Sequence, residues 1–127
     1  IGTQGDFKVS ANEVAIGLPL PRTAENMLRH RLTPAAFQRA SVLAEYFPVD
    51  AAREAGFFDE LVAPAELMGR AREKAAEFAE LDAHAHTVTK LRVRSKTIAR
   101  IKRGIPLDLK DAAMLGVRSA LAARKKK

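Results

Sequence analysis

Residues 47–62 read Phe47-Pro48-Val49-Asp50-Ala51-Ala52-Arg53-Glu54-Ala55-Gly56-Phe57-Phe58-Asp59-Glu60-Leu61-Val62. Asp50 suits an N-cap, since a short polar side chain accepts from the open N–H groups of the turn that follows. A short helix over residues 51–55 is expected from it. Gly56 supplies the stop, because glycine enters the left-handed backbone of a helix C-terminus without steric cost. Phe57 to Val62 then reads as a brief strand.

Upstream stands a second informative segment, Asn12-Glu13-Val14-Ala15-Ile16-Gly17-Leu18, followed by Pro19 and Pro21. It sets one carboxylate at the start of a short apolar run that ends in glycine. On a strand, Glu13, Ala15 and Gly17 share one face, and Val14, Ile16 and Leu18 share the other. The large apolar side chains are then expected to face the core. The carboxylate stands beside the two smallest residues, where a substrate can approach. A carboxylate so placed is either a proton-transfer base or a solvated residue at a strand end.

Outward from these two segments the chain reads as short elements. Phe7 to Val9 suggests a strand, and a helix is expected to begin at Arg22 or Thr23 once Pro19 and Pro21 are passed. Thr33 and Pro34 start another helix, with a capping hydroxyl and a proline at the position that needs no N–H. Its apolar side is expected from Phe37, Ala40, Val42, Leu43, Ala44, Tyr46 and Phe47. Pro64 and Glu66 open a longer helix that keeps apolar spacing through Leu67, Ala71, Ala75, Phe78 and Ala79. A further helix from Ala83 carries Val88, Leu91, Ile98 and Ile101 and is expected to end at Gly104. Pro106 then starts a last amphipathic segment with Leu107, Leu109, Met114, Leu115, Val117 and Leu121, and Lys125 to Lys127 is expected to fray.

The chain has 127 residues, ordinary for one domain, and 47% hydrophobic content suits a globular core. Aromatics are only 6% with no Trp, so the core is expected mainly from Ala, Leu, Val and Ile. With no Cys, disulfides, thiolate catalysis and Cys-based metal sites are excluded. The absence fits a cytoplasmic or organellar enzyme. No stretch approaches the roughly 20 apolar residues that span a bilayer, and Ile1 to Ser10 lacks the pattern of a signal peptide. Charge is unevenly spread: residues 1–82 hold 9 Lys/Arg against 13 Asp/Glu, a net of −4, and residues 83–127 hold 13 against 2, a net of +11. The division near Asp82 and Ala83 is read as the end of a core (residues 1–82) and the start of a basic helical region for docking or oligomerisation (residues 83–127).

Asn12-Glu13 with Gly17, the alanine-rich stretch from Asp50 to Gly56, then Phe58-Asp59-Glu60-Leu61-Val62 and Pro64 together resemble the crotonase superfamily, the enoyl-CoA hydratases and isomerases. Thr89-Lys90 also matches, and the likeness covers roughly residues 1–95. It corresponds to the C-terminal half of a crotonase domain. The resemblance implies an α/β fold, a crotonase-like ββα core seen in its C-terminal half, with a helical C-terminal region. Asn12 is more like the isomerases that shift a β,γ double bond to α,β, where hydratases usually carry Pro. The Arg22-Thr23 pair likewise departs from the glycine pair that many hydratases show.

By the same resemblance Glu13 falls at the position of the catalytic glutamate. The second glutamate of hydratases and the backbone N–H groups of the oxyanion hole would lie upstream of Ile1, so residues 1–127 alone are expected to be inactive. Acyl-CoA is implied as the substrate, with no cofactor, and assembly as a homotrimer or hexamer. Substrate-binding residues other than Glu13 are not assigned. The chemistry is proton transfer at a carbon made weakly acidic by a thioester, which needs a base and donors aimed at the thioester oxygen. Apolar surroundings help, since desolvation holds a carboxyl nearer its neutral form.

His84 and His86, two apart, point in different directions on a helix, so no metal site is expected. The run Lys90, Arg92, Arg94, Lys96, Arg100, Lys102, Arg103 is read first as a solvated or subunit-facing surface and second as a contact for CoA phosphates. Nucleic acid ranks last, because no aromatic is interleaved. A non-catalytic interaction module with a basic helical tail, binding an acidic partner or nucleic acid, stands as the alternative to the enzyme.

Overall fold

The computed structural model describes residues 1–124, with side chains described through Gly116. Short elements follow one another up to residue 62: β1 (Gly2–Thr3), β2 (Lys8–Val9), a 3-10 turn (Val14–Ile16), α1 (Arg22–Arg31), α2 (Pro34–Ser41), β3 (Phe47–Pro48), α3 (Val49–Ala55) and β4 (Leu61–Val62). A second 3-10 turn (Pro64–Glu66) leads into α4 (Leu67–Ala79), and α5 (Ala83–Arg124) is one long helix. β1 pairs in parallel with β4, Gly2 opposite Leu61, and β2 pairs antiparallel with β3, Val9 opposite Phe47.

The core lies where α2 and α3 meet. Leu32, Ala36, Phe37, Ala40, Phe47, Ala52 and Ala55 are buried together, with Val9, Leu28, Phe57 and Phe58 packed against them. The core is mainly Ala, Leu and Val as composition suggested, and its largest fully buried side chain is Phe47. The alanines explain this: small residues let α2 and α3 approach closely, and one phenylalanine fills the remaining space.

Thr33 caps α2 as expected, its hydroxyl accepting from Ala36 N–H, and Pro34 occupies the first turn. The helix ends earlier than its apolar pattern suggested. Ala44 turns the chain with φ of 51°, Val42, Leu43 and Tyr46 stay exposed, and Phe47 reaches the core from β3 instead. An Arg39–Glu45 ion pair closes that turn. α3 starts at Val49 with Pro48 as its cap, which leaves Asp50 in the first turn, where its charge suits the helix dipole. Only Leu61 and Val62 of the expected 57–62 strand pair with another strand.

Gly56 ends α3 with φ of 103°, and a Cβ there would lie 2.8 Å from the carbonyl oxygen of Arg31. Gly56→Ala is therefore expected to cost about 1–2 kcal/mol from the left-handed backbone alone, with the contact adding to it. Thermal melting of the complete protein checks this.

Two expectations are corrected. Residues 13–18 form no strand. Ile16 and Leu18 N–H donate to the Glu13 carbonyl at 3.1 and 2.8 Å, Gly17 N–H donates to Val14 at 3.2 Å, and Gly17 closes the turn with φ of 77°. With no strand alongside to take these N–H groups, local bonds satisfy them instead. Val14, Ile16 and Leu18 are thus exposed rather than core.

The second correction concerns α5, which ends neither at Gly104 nor at Pro106. Gly104 is buried where α5 crosses the start of α1, and a Cβ there would meet Arg22 Cβ at 3.2 Å. The glycine permits close approach. Pro106 removes one helical N–H, but the turns on either side are held by that contact and by Asp108. Asp82 Oδ1 accepts from Ala85 N–H at 2.7 Å at the start of α5. The side chains of Val117 and Leu121, and Lys125 to Lys127, lie outside the described residues.

Candidate active site

Glu13 precedes the first 3-10 turn, half-buried, and its segment is tied down on one side by Asn12 Nδ2 donating to the Tyr46 hydroxyl at 3.2 Å. One of its carboxylate oxygens, Oε2, is buried and has no hydrogen-bond partner. A buried acceptor left open costs free energy, so such atoms mark places where a ligand or water completes the structure.

That carboxylate lines a cleft of about 370 Å³. One side comes from residues 18–22, the Leu-Pro-Leu-Pro-Arg stretch between the turn and α1. The other comes from α5, through Asp108, Asp111, Ala112 and Leu115. The volume falls within the range of small-molecule sites, and a mainly apolar wall with a few convergent polar groups is their usual character. A second hollow of about 300 Å³ is more open and charged, lined by Glu25, Asn26, Arg100 and Arg103, and does not include Glu13.

Asp108 fixes the α5 wall. Its oxygens accept from Arg22 N–H and Thr23 N–H, both at 2.9 Å, and from the Thr23 hydroxyl at 2.9 Å. One side chain thus caps α1 from 85 residues away. Arg22 Nη1 also reaches Asp111 at 2.6 Å and Asp108 at 3.3 Å. Hydrogen bonding to Asp111 and then Asp108 raises Arg22 above its ordinary pKa. Burial alone would raise the Asp108 carboxyl, but the Thr23 and Arg22 donors together outweigh it and hold the group at about 2.

A carboxyl lowered on folding stabilises the fold wherever its unfolded form is ionised. Its contribution is full above about pH 4 and is lost as pH falls towards 2. Because the chain has no Cys, a cysteine pair placed on α1 and α5 can carry distance labels cleanly. Native protein is expected to show the helices parting between those two pH values, and Asp108→Asn to show weaker docking at pH 7 with no such step.

The sequence singled out Glu13, and it lies in the cleft. It gave Arg22 and Leu115 no role at a site, naming them only at a helix start and in an apolar stripe, and it passed over Asp108, Asp111 and Ala112. A signal existed for two of them: Asp108 and Asp111 are the only acids in residues 83–127. The basic run from Lys90 to Arg103 is largely exposed along α5, and none of its seven cations forms an ion pair among the described residues. His30 Nδ1 lies 3.4 Å from the Thr97 hydroxyl across the α1–α5 contact. Among the described residues no cluster of His, Asp and Glu fits a metal ion, and no helix is long and apolar enough to cross a membrane.

No protein-family model and no curated protein matches the chain. Solved structures do. An enoyl-CoA hydratase from Mycobacterium ulcerans is similar over 87% of this chain, with a TM-score of 0.82 and 41% identity, and 48% of that chain is covered. An enoyl-CoA isomerase from Mycobacterium tuberculosis gives 0.81 and 40%, over 86% of this chain and 48% of its own. An enoyl-CoA hydratase/isomerase family protein from Pseudomonas syringae gives 0.80 and 36%, over 84% and 46%. The chain spans about half the length of each. The chain is thus similar to about half of the enoyl-CoA hydratase/isomerase (crotonase superfamily) fold, with a helical C-terminal region.

Proposed function

We propose that the complete protein moves a proton on an enoyl-CoA thioester, with Glu13 as the base. The observation that carries this reading is the buried, unpartnered Oε2 of Glu13 at a mainly apolar cleft. Glu13 takes a proton from the carbon next to the unsaturation and returns it two carbons away, shifting the double bond into conjugation with the thioester. Asp108 and Asp111 are engaged by α1 and Arg22, which leaves Glu13 as the cleft carboxylate with a buried, unpartnered oxygen. One free carboxylate suits isomerisation, whereas hydration also needs an activated water. The names of the solved relatives, which include both hydratases and isomerases, support the class of reaction without choosing between its members.

Donors for the enolate oxygen fall, by the family resemblance, upstream of Ile1, so a polypeptide of residues 1–127 by itself is expected to be inactive. Acyl-CoA is the substrate and no separate cofactor takes part. Residues 1–82 serve as the C-terminal part of the core, and residues 83–127 as the docking region of a cytoplasmic homotrimer or hexamer. Turnover of a 3-enoyl-CoA and of a 2-enoyl-CoA by the native gene product tests the reading. Isomerisation exceeding hydration supports it; neither activity sinks it.

The seven cations of the Lys90 to Arg103 run, unpaired among the described residues, favour one other reading, an interaction module for an acidic partner. It predicts binding that weakens with salt and with neutralisation of Lys90 to Arg103, and indifference to Glu13.

A further inference from the structure

α5 contributes a wall to the Glu13 cleft, and that wall has two unlike parts. Asp108 and Asp111 carry negative charge, while Ala112 and Leu115 continue the apolar surface begun by Leu18 and Leu20. Arg22, the one cation lining the cleft, is already paired with Asp108 and Asp111, so the phosphates of a CoA ester find three carboxylates and no unpaired cation there. The cations without an ion pair among the described residues line neighbouring hollows instead, Lys110 beside Pro19, Asp111 and Leu115, and Arg100 and Arg103 on the far side of Arg22. What fits the cleft is an uncharged, apolar group whose reacting carbon reaches Glu13.

We propose that Ala112 and Leu115 select the acyl group by the length of chain they accommodate, with the Asp108–Arg22 contacts holding that wall at a fixed distance from Glu13. The inference rests on the enoyl-CoA reading and adds to it the part of the substrate that α5 recognises. Ala112 is exposed and Leu115 half-buried, so neither is a determinant of the core. A phenylalanine at position 112 shortens the cleft, and an alanine at 115 removes apolar surface from it.

The test is calorimetric binding of two unreactive probes, acetyl-CoA and octanoyl-CoA, to the complete protein and to Ala112→Phe and Leu115→Ala. Each variant is expected to weaken octanoyl-CoA at least tenfold while acetyl-CoA changes less than twofold, with melting temperature unchanged. Equal weakening of both probes, or an unchanged ratio between them, overturns the proposal. Binding of neither probe by the unaltered protein overturns it together with the enoyl-CoA reading. Selective loss of octanoyl-CoA alongside absent enoyl-CoA turnover retains the chain-length role and removes only the assigned reaction.

Discussion

Glu13→Gln in the complete protein is expected to lower kcat on an enoyl-CoA by about 10²–10⁴-fold, the usual contribution of a positioned general base. The substitution keeps the shape and one acceptor but removes the proton-accepting charge. Its structural cost is expected to be small for a specific reason. Glu13 contributes to the fold through its backbone carbonyl, which accepts from Ile16 and Leu18, and its Oε2 makes no hydrogen bond that could be lost. Melting temperature and KM should therefore stay close to native while kcat falls. A parallel loss of stability and turnover would instead assign Glu13 a structural role, and unchanged turnover would remove it from the chemistry.

Phe47→Ala is expected to destabilise the protein by about 3–5 kcal/mol, the range for truncating a buried aromatic. Phe47 is 1% exposed. Its ring meets Phe57 at 5.6 Å between centroids with a 55° tilt, and the Arg39 guanidinium lies over it at 5.0 Å. Four of its buried neighbours in the cluster are alanines, which have no side chain to swing into the space left behind. The cavity stays open, and the loss is a large share of the roughly 5–15 kcal/mol that holds an ordinary domain together. Leu43→Ala is the matched control, since Leu43 is 66% exposed and a surface change of this kind usually stays within about 0.5 kcal/mol. Denaturant unfolding of the two variants should separate them clearly. A loss near that of Leu43→Ala would place the core elsewhere.

Legibility in the sequence followed the range of the interaction. Thr33-Pro34 and Gly56 act within one turn, and both took the expected roles. The pairing of the 12–18 segment with residues 50–64 carried the family, because it depends on residue order rather than on packing. The alternation of Val14, Ile16 and Leu18 misled, since a period of two describes a strand only when another strand lies beside it. Gly104 and Pro106 misled in the same way. Each is a local helix breaker, yet Gly104 sits where the backbone of α5 packs against Arg22 with no room for a larger side chain, and that contact joins residues 82 positions apart. Half of the candidate cleft was hidden for this reason: Asp108 caps a helix 85 residues upstream, and no local spacing announces it.

Exchange of carbon-bound hydrogen with solvent reports most directly on whether Glu13 moves a proton on an acyl-CoA. The complete protein, incubated with a 3-enoyl-CoA in D2O, should place deuterium on the recovered thioester, read by mass spectrometry, and Glu13→Gln should place none above the uncatalysed blank. Deuterium incorporated by Glu13→Gln at the native rate would contradict the role assigned to this carboxylate.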